Sequence, residues 1–419
     1  MMWLEFVVFG SWFATLGLVL AQNGLPTIIG IAYSLAAVAA IIAPMFLGAV
    51  GDRFLASQKV LGLAHIVGGV LMLFLPTTVR LGNARLTLLL ILAYMLCFMP
   101  TLGLANSIAF RHLESNQNRF PYVRVFGTVG WVVAGVLVGA LGLSASASIF
   151  YVTAVASFAF AGYAFTLPET PPPAKGVRFS FGDVIGAGAW PLLRDRNFAV
   201  FMICAILTSI ALGVYNTFSS PYLGALGISN VAGVLALGQF SEVIFVVTIP
   251  LALRSIGMKW SLLLGMCMWA IRFALFIAAA GGSAWLVVVS IGLQGVCNDF
   301  FLVLGAMYID RVAPKEVNAQ AQSMLILVVS GIGALIGSMA SGYIYGATVA
   351  LNPATGPAAW IPIWLLPIGT ALAVAVIWIV FFRDSRGDRR IDIETQRHAM
   401  QQREANILLT PTSYPRDSK

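Results

Sequence analysis

Five charged side chains stand inside runs of sequence that are otherwise apolar: Glu5, Arg124, Glu242, Arg272 and Asp299. A charge at membrane depth is expensive and in most cases serves a function. Glu242 and Asp299 fall near the midpoints of their runs, and each has polar company. Gln239 precedes Glu242 by three residues, so a helix carries both on one face; Gln294 and Asn298, four apart, flank Asp299. Arg124, Thr128 and Trp131 recur at four and seven residues, which gives one face with a cation, a hydroxyl and an aromatic plate. Carboxylates can carry protons, amides can both donate to and accept from hydroxyl groups, and an aromatic plate can stack on a flat ring. These faces make sense around a shared wet cavity that binds a polar solute together with a proton. Glu242 and Asp299 are the proton-carrying candidates.

The other charged or polar positions read differently. Glu5 lies a few residues from the start and suits the membrane interface. Arg272 suits a structural ion pair or a snorkelling role. His65 reads as an isolated packing histidine, and Asn106 faces either the cavity or a neighbouring helix. Cys97, Cys204, Cys267 and Cys297 lie in apolar runs without ligand spacing and read as small buried hydrophobes. No metal cluster, nucleophile–base pair or phosphate loop is evident, so an enzyme is not expected.

The elements that must position these groups follow from composition. The chain has 419 residues, of which 59% are hydrophobic and 10% charged, with a mean hydropathy of +0.91. That is the composition of an integral membrane protein. Long apolar runs that do not alternate exclude a barrel, leaving an all-α membrane protein. A span needs roughly 20 apolar residues, and breaks at charges, Gly/Pro turns and Asn-rich corners divide the chain into twelve transmembrane helices. They are expected near 3–21, 27–50, 58–77, 86–110, 120–143, 147–167, 197–220, 229–253, 260–280, 283–309, 318–346 and 359–382. The first is read as a retained span and not a cleaved signal.

The polar connection 169–196, with its "PPP" run, separates a six-helix half at 1–168 from a second at 197–382, and a solvated tail occupies 383–419. Of the 24 Lys and Arg residues, the loops after odd-numbered spans hold only Arg80 and Arg85. Arg124 and Arg272 lie inside spans, and the remainder fall in the loops after even-numbered spans, the central connection and the tail. Positive charge marks the cytoplasmic side, so both termini are expected there. The net charge of +8 thus reflects topology and not nucleic-acid binding.

Between the second and third spans stands "GAVGDRFLASQK", in which Gly48 permits close helix approach while Asp52 and Arg53 can form a salt bridge or cap a helix end. It resembles the gating motif of the major facilitator superfamily. "FGSWFATLG", "MPTLGLANSIAF", "RVFGTVGW", "GQFSEVIFVVTIP", "RFALF", "DFF" and "AQAQSM" then occur in order along the chain. Together they resemble the nucleoside:proton symporter family of that superfamily.

The resemblance implies proton-driven uptake of nucleosides across the cytoplasmic (inner) membrane, with a pocket between two halves that rock to expose it to either side. The family's pocket arginine and threonine fall on Arg124 and Thr128, its glutamine and glutamate on Gln239 and Glu242, and its later acid on Asp299. Asn216 is the candidate for its polar pair in span seven. Trp131 stands where the family has Phe, and Gln294 and Asn298 stand where it has an aromatic pair. The expected partners are a nucleoside, a proton and the lipid bilayer, for a monomer without cofactor or metal. A sugar or other small polar metabolite is the alternative cargo.

Overall fold

A computed structural model describes residues 1–46, 56–113, 120–170 and 187–383. The expected gating residues Gly48, Asp52 and Arg53, most of the central connection and nearly all of the tail lie outside this set. Among the described residues there is no strand.

The first group of helices is α1 (Met2–Gly10), α2 (Leu16–Gln22), α3 (Ile29–Phe46), α4 (Ser57–Arg80), α5 (Ala84–Leu113), α6 (Phe120–Ala140) and α7 (Ile149–Phe165). The second is α8 (Arg196–Ala225), α9 (Val231–Val246), α10 (Ile249–Ser255), α11 (Gly257–Ala279), α12 (Trp285–Gly292), α13 (Gln294–Asn298), α14 (Leu304–Val312), α15 (Asn318–Ile326), α16 (Ala334–Ala347) and α17 (Ile361–Phe381). Asp195 opens the second group by accepting the Phe198 N–H at 2.9 Å, a side-chain N-cap. Just before it, Ala187–Arg194 forms a short 3-10 helix.

Eight helices among the described residues are long and apolar enough to cross a bilayer, and nine if α9 and α10, bent by 52° at their junction, count as one span. Pro250 near the start of α10 lacks an N–H and explains the bend, while the Thr248 hydroxyl donates to the Phe245 carbonyl beside it. The other three expected spans are shorter or broken. Apolar helices cover Pro26–Ile42 and Ile149–Phe165, and the first span is split into α1 and α2.

That split is supported from outside the helix. Between α1 and α2 the Tyr33 hydroxyl donates to the Phe13 carbonyl at 2.7 Å and accepts the Gly17 N–H at 3.2 Å. Ser11 Oγ lies 2.7 Å from Thr153 Oγ1. Backbone groups freed at membrane depth need such partners, and the arrangement is tolerated where it lines a cavity.

Within the first group α4 packs on α5 and α7, α3 on α5, and α1 on α6. Within the second, α17 lies against α8 and α11, and α16 against α8. The largest contacts that join the groups are α6 with α9, α3 with α16, and α2 with α8. Small residues make the close contacts. A Cβ on Gly130 would collide with the Trp3 carbonyl oxygen, and one on Gly10 would stand 3.0 Å from the Trp131 Cα.

Gly130→Ala must therefore push α1 off α6, at a cost of about 1–3 kcal/mol for overpacking. Its thermal unfolding midpoint in detergent is expected below wild type. Gly162→Ala, where nothing lies within 4 Å of the added atom, is expected to match wild type.

Candidate functional site

The breaks and the group-to-group contacts meet at one cavity. Phe13 and Ala14 from the α1–α2 turn, Trp131 of α6, Tyr215, Asn216 and Ser219 of α8, Leu235 and Gln239 of α9, and Gln294 of α13 surround about 380 Å³, its open mouth included. Both groups of helices contribute to the wall. Three aromatic side chains face three amides and a hydroxyl.

Glu242 sits behind this wall. Its Oε1 accepts from Asn298 Nδ2 at 2.6 Å, from Gln294 Nε2 at 3.0 Å and from Gln239 Nε2 at 3.3 Å. Two of these amides, Gln239 and Gln294, also line the cavity. The far end of Gln294 is fixed as well, since its Oε1 accepts from Arg272 Nη2 at 3.1 Å.

Arg272 is 1% exposed. Its Nε donates to the Ser290 carbonyl at 2.9 Å, and its Cζ lies 4.0 Å above the Tyr215 ring and 5.0 Å from that of Trp269. A chain of contacts thus runs from Tyr215 in the cavity wall through Arg272 and Gln294 to the Glu242 carboxylate.

Local sequence makes this packing possible. A Cβ on Gly238 would stand 2.5 Å from Gln294 Oε1, so glycine lets that side chain cross α9. Ser241 Oγ accepts the Gly295 N–H at 2.9 Å and donates to the Gly238 carbonyl at 2.7 Å, pinning α13 to α9. After Asn298 the chain enters a π-helical turn, Asp299–Val303, a feature frequent at functional sites.

The sequence-based expectations divide. Trp131, Asn216, Gln239 and Gln294 line the cavity, while Glu242 and Asn298 join it through hydrogen bonds. Asp299 takes no part in that network. One residue beyond Asn298 it points about 100° away around the helix; it is 7% exposed, and its Oδ2 has no partner among the described residues.

Arg124 and Thr128 share a helix with Trp131 but do not line the cavity. By helical rise Arg124 lies about 10 Å further along α6, its Cζ 4.3 Å over the Phe6 ring. Arg272, expected as a structural ion pair or a snorkelling residue, is neither: it makes no ion pair within 4 Å among the described residues and is wholly buried. Glu5, expected at the interface, is buried, and His65, expected alone, faces it. Phe13, Tyr215 and Ser219 went unseen. Two aromatics and a serine in apolar runs carry no signal that separates them from packing residues.

Bent and broken apolar helices around a polar central cavity define a multi-pass membrane transporter. The nucleoside H+ symporter family model matches residues 1–387, and the chain belongs to that family, within the major facilitator superfamily. It is 34% identical to YegT of Escherichia coli strain K12 over 92% of this chain and 93% of that one. It is 30% identical to the xanthosine permease of the same strain, over 93% and 96%. Among solved structures it resembles nucleoside transporter NupG, with a TM-score of 0.79, 27% identity, and 92% and 98% of the two chains covered.

Gln294→Leu removes a donor to Glu242 and an acceptor for Arg272 at once. It is expected to cost about 1–3 kcal/mol through the buried groups left unpaired, read as a lowered unfolding midpoint in detergent. Gln239→Leu, which removes the longest of the three contacts, is expected to lower it less.

Proposed function

We propose that the protein takes up nucleosides together with protons across the cytoplasmic membrane by alternating access. The observation that carries this reading is that Gln239 and Gln294 both line the cavity and both donate to Glu242. A nucleoside entering the cavity competes for those amides and so changes how well the Glu242 carboxylate is solvated. Cargo and proton are thereby linked through two side chains.

The aromatic walls suit a base. Phe13, Trp131 and Tyr215 offer flat faces, and Asn216, Gln239, Gln294 and Ser219 offer donors and acceptors to a ribose. Twelve spans in two halves, 1–168 and 197–382, rock about this site; the pairings of α2 with α8, α3 with α16 and α6 with α9 support that division. Both termini face the cytoplasm, as the Lys/Arg asymmetry supports, and one chain suffices because the cavity is built within it. Gly48, Asp52 and Arg53 gate the cytoplasmic side, Arg124 and Thr128 meet the cargo when the halves rock, and Asp299 serves as a second carboxylate for proton coupling.

A sugar is the second reading, favoured by the amides Gln294 and Asn298 where an aromatic pair would strengthen base recognition. The aromatics that enter the wall from α2's side, α6 and α8 weigh against it. Proteoliposomes given labelled uridine and an inward proton gradient test both. Wild type is expected to accumulate uridine only with the gradient, and Glu242→Gln to lose accumulation. Undiminished accumulation by Glu242→Gln would refute the coupling, and equal competition by free sugars would refute the cargo.

A further inference from the structure

We propose that Glu5 and His65 form a second proton-binding site, placed in the first group of helices and separate from Glu242 and Asp299. Glu5 is 0% and His65 2% exposed. Glu5 Oε2 and His65 Nε2 face each other at 3.7 Å, and neither atom has a hydrogen-bond partner among the described residues. Two buried titratable atoms that face one another within ion-pair reach, with no hydrogen bond between them, form a place for a proton.

The other carboxyl oxygen shows how the site accommodates a proton. Thr101 Oγ1 lies 2.5 Å from Glu5 Oε1 and 2.6 Å from the Phe98 carbonyl oxygen. A threonine hydroxyl has one hydrogen and cannot donate to both oxygens. An ionised Glu5 accepts that hydrogen; when Glu5 carries a proton, its carboxyl group donates to Thr101 Oγ1 and the Thr101 hydrogen turns to the Phe98 carbonyl. The same contacts thus serve both forms of Glu5.

Moving this proton to His65 gives a carboxylate beside an imidazolium and conserves charge, with the Thr101 hydroxyl then free to turn and donate to Glu5. Releasing it leaves the carboxylate and a neutral imidazole. The surrounding helices bring few competing charges. Tyr94 and Cys97 face the site from α5, the Met1 amino group lies at the start of α1, and Arg124 of α6 is held over Phe6, the neighbour of Glu5. On α7, Tyr151 and Tyr163 are exposed.

The site also touches the cavity wall through aromatic rings. The His65 ring is 6.0 Å from Phe98, Phe98 is 4.8 Å from Phe9, and Phe9 is 5.0 Å from Trp131. Phe98 thus packs against both His65 and Phe9 and receives the Thr101 hydroxyl. A proton that redirects Thr101 acts on the residue that leads to Trp131.

The transport part of this inference rests on the proton-coupled reading above; the binding part does not. Infrared difference spectra of the purified protein across pH are expected to show a neutral carboxyl stretch that is absent from Glu5→Gln, a substitution close in shape to the neutral acid. In His65→Gln that stretch is expected to persist but to titrate at a different pH. In proteoliposomes, Glu5→Gln is expected to keep uridine exchange and lower the ratio of protons to uridine. An infrared titration identical in all three proteins, or an unaltered ratio in Glu5→Gln, overturns the inference. If wild type moves uridine without protons, the function proposed above falls, while the spectra still decide whether this site holds a proton.

Discussion

Three amides converge on a single oxygen of Glu242, and much of the second helix group is arranged around that demand. No water is guaranteed at membrane depth, so a carboxylate there must be satisfied by the protein itself. Gln239 comes from its own helix, while Gln294 and Asn298 come from α13, four residues apart and therefore on one face. To reach Glu242 they require α13 close to α9, which Gly238 and Gly295 permit and Ser241 pins. Arg272 then fixes the outer end of Gln294 and is itself held between Ser290 and two aromatic rings. Removing Gln294 or Arg272 leaves a buried polar group without its partner.

The same economy governs the backbone. Helices are interrupted beside the cavity between α1 and α2 and at Leu293, between α12 and α13, and a π-turn begins shortly after at Asp299. Each interruption frees peptide groups that lipid could not satisfy. Tyr33 serves the first, donating to Phe13 and accepting from Gly17. Phe13 and Ala14 thereby enter the cavity wall on a segment that is not helical, a place where a rocking motion can be absorbed without unwinding a lipid-facing helix.

Much of this was legible in the sequence, and the limits are physical. Charge in an apolar run is conspicuous, so Glu242, Arg272 and Asp299 could be found by inspection, and the i, i+3 and i, i+4 spacings placed Gln239 with Glu242 and Gln294 with Asn298. Spacing gives the face of a helix but not the neighbour it meets. Gln294 and Asn298 read as companions of Asp299, whereas they reach across to Glu242. Glu5 and His65 were each visible, yet their pairing depends on α1 and α4 both packing against α5 and α7, which no local pattern encodes. Tyr215 and Phe13 stayed hidden because a cavity aromatic and a core aromatic have the same composition. The broken first span was missed for a related reason: its unwound turn, residues 11–15, holds no Gly or Pro to mark it, and the tyrosine that stabilises it lies 20 residues away from Phe13.

The central claim is that cargo and proton meet through the amides that Glu242 shares with the cavity. Calorimetric titration of uridine into the purified protein, repeated in buffers of different ionisation enthalpy, counts the protons taken up on binding. Wild type is predicted to take up protons as uridine binds, and Glu242→Gln to bind uridine with that uptake diminished. Uridine binding with no proton uptake in wild type, or with the same uptake in Glu242→Gln, would contradict it.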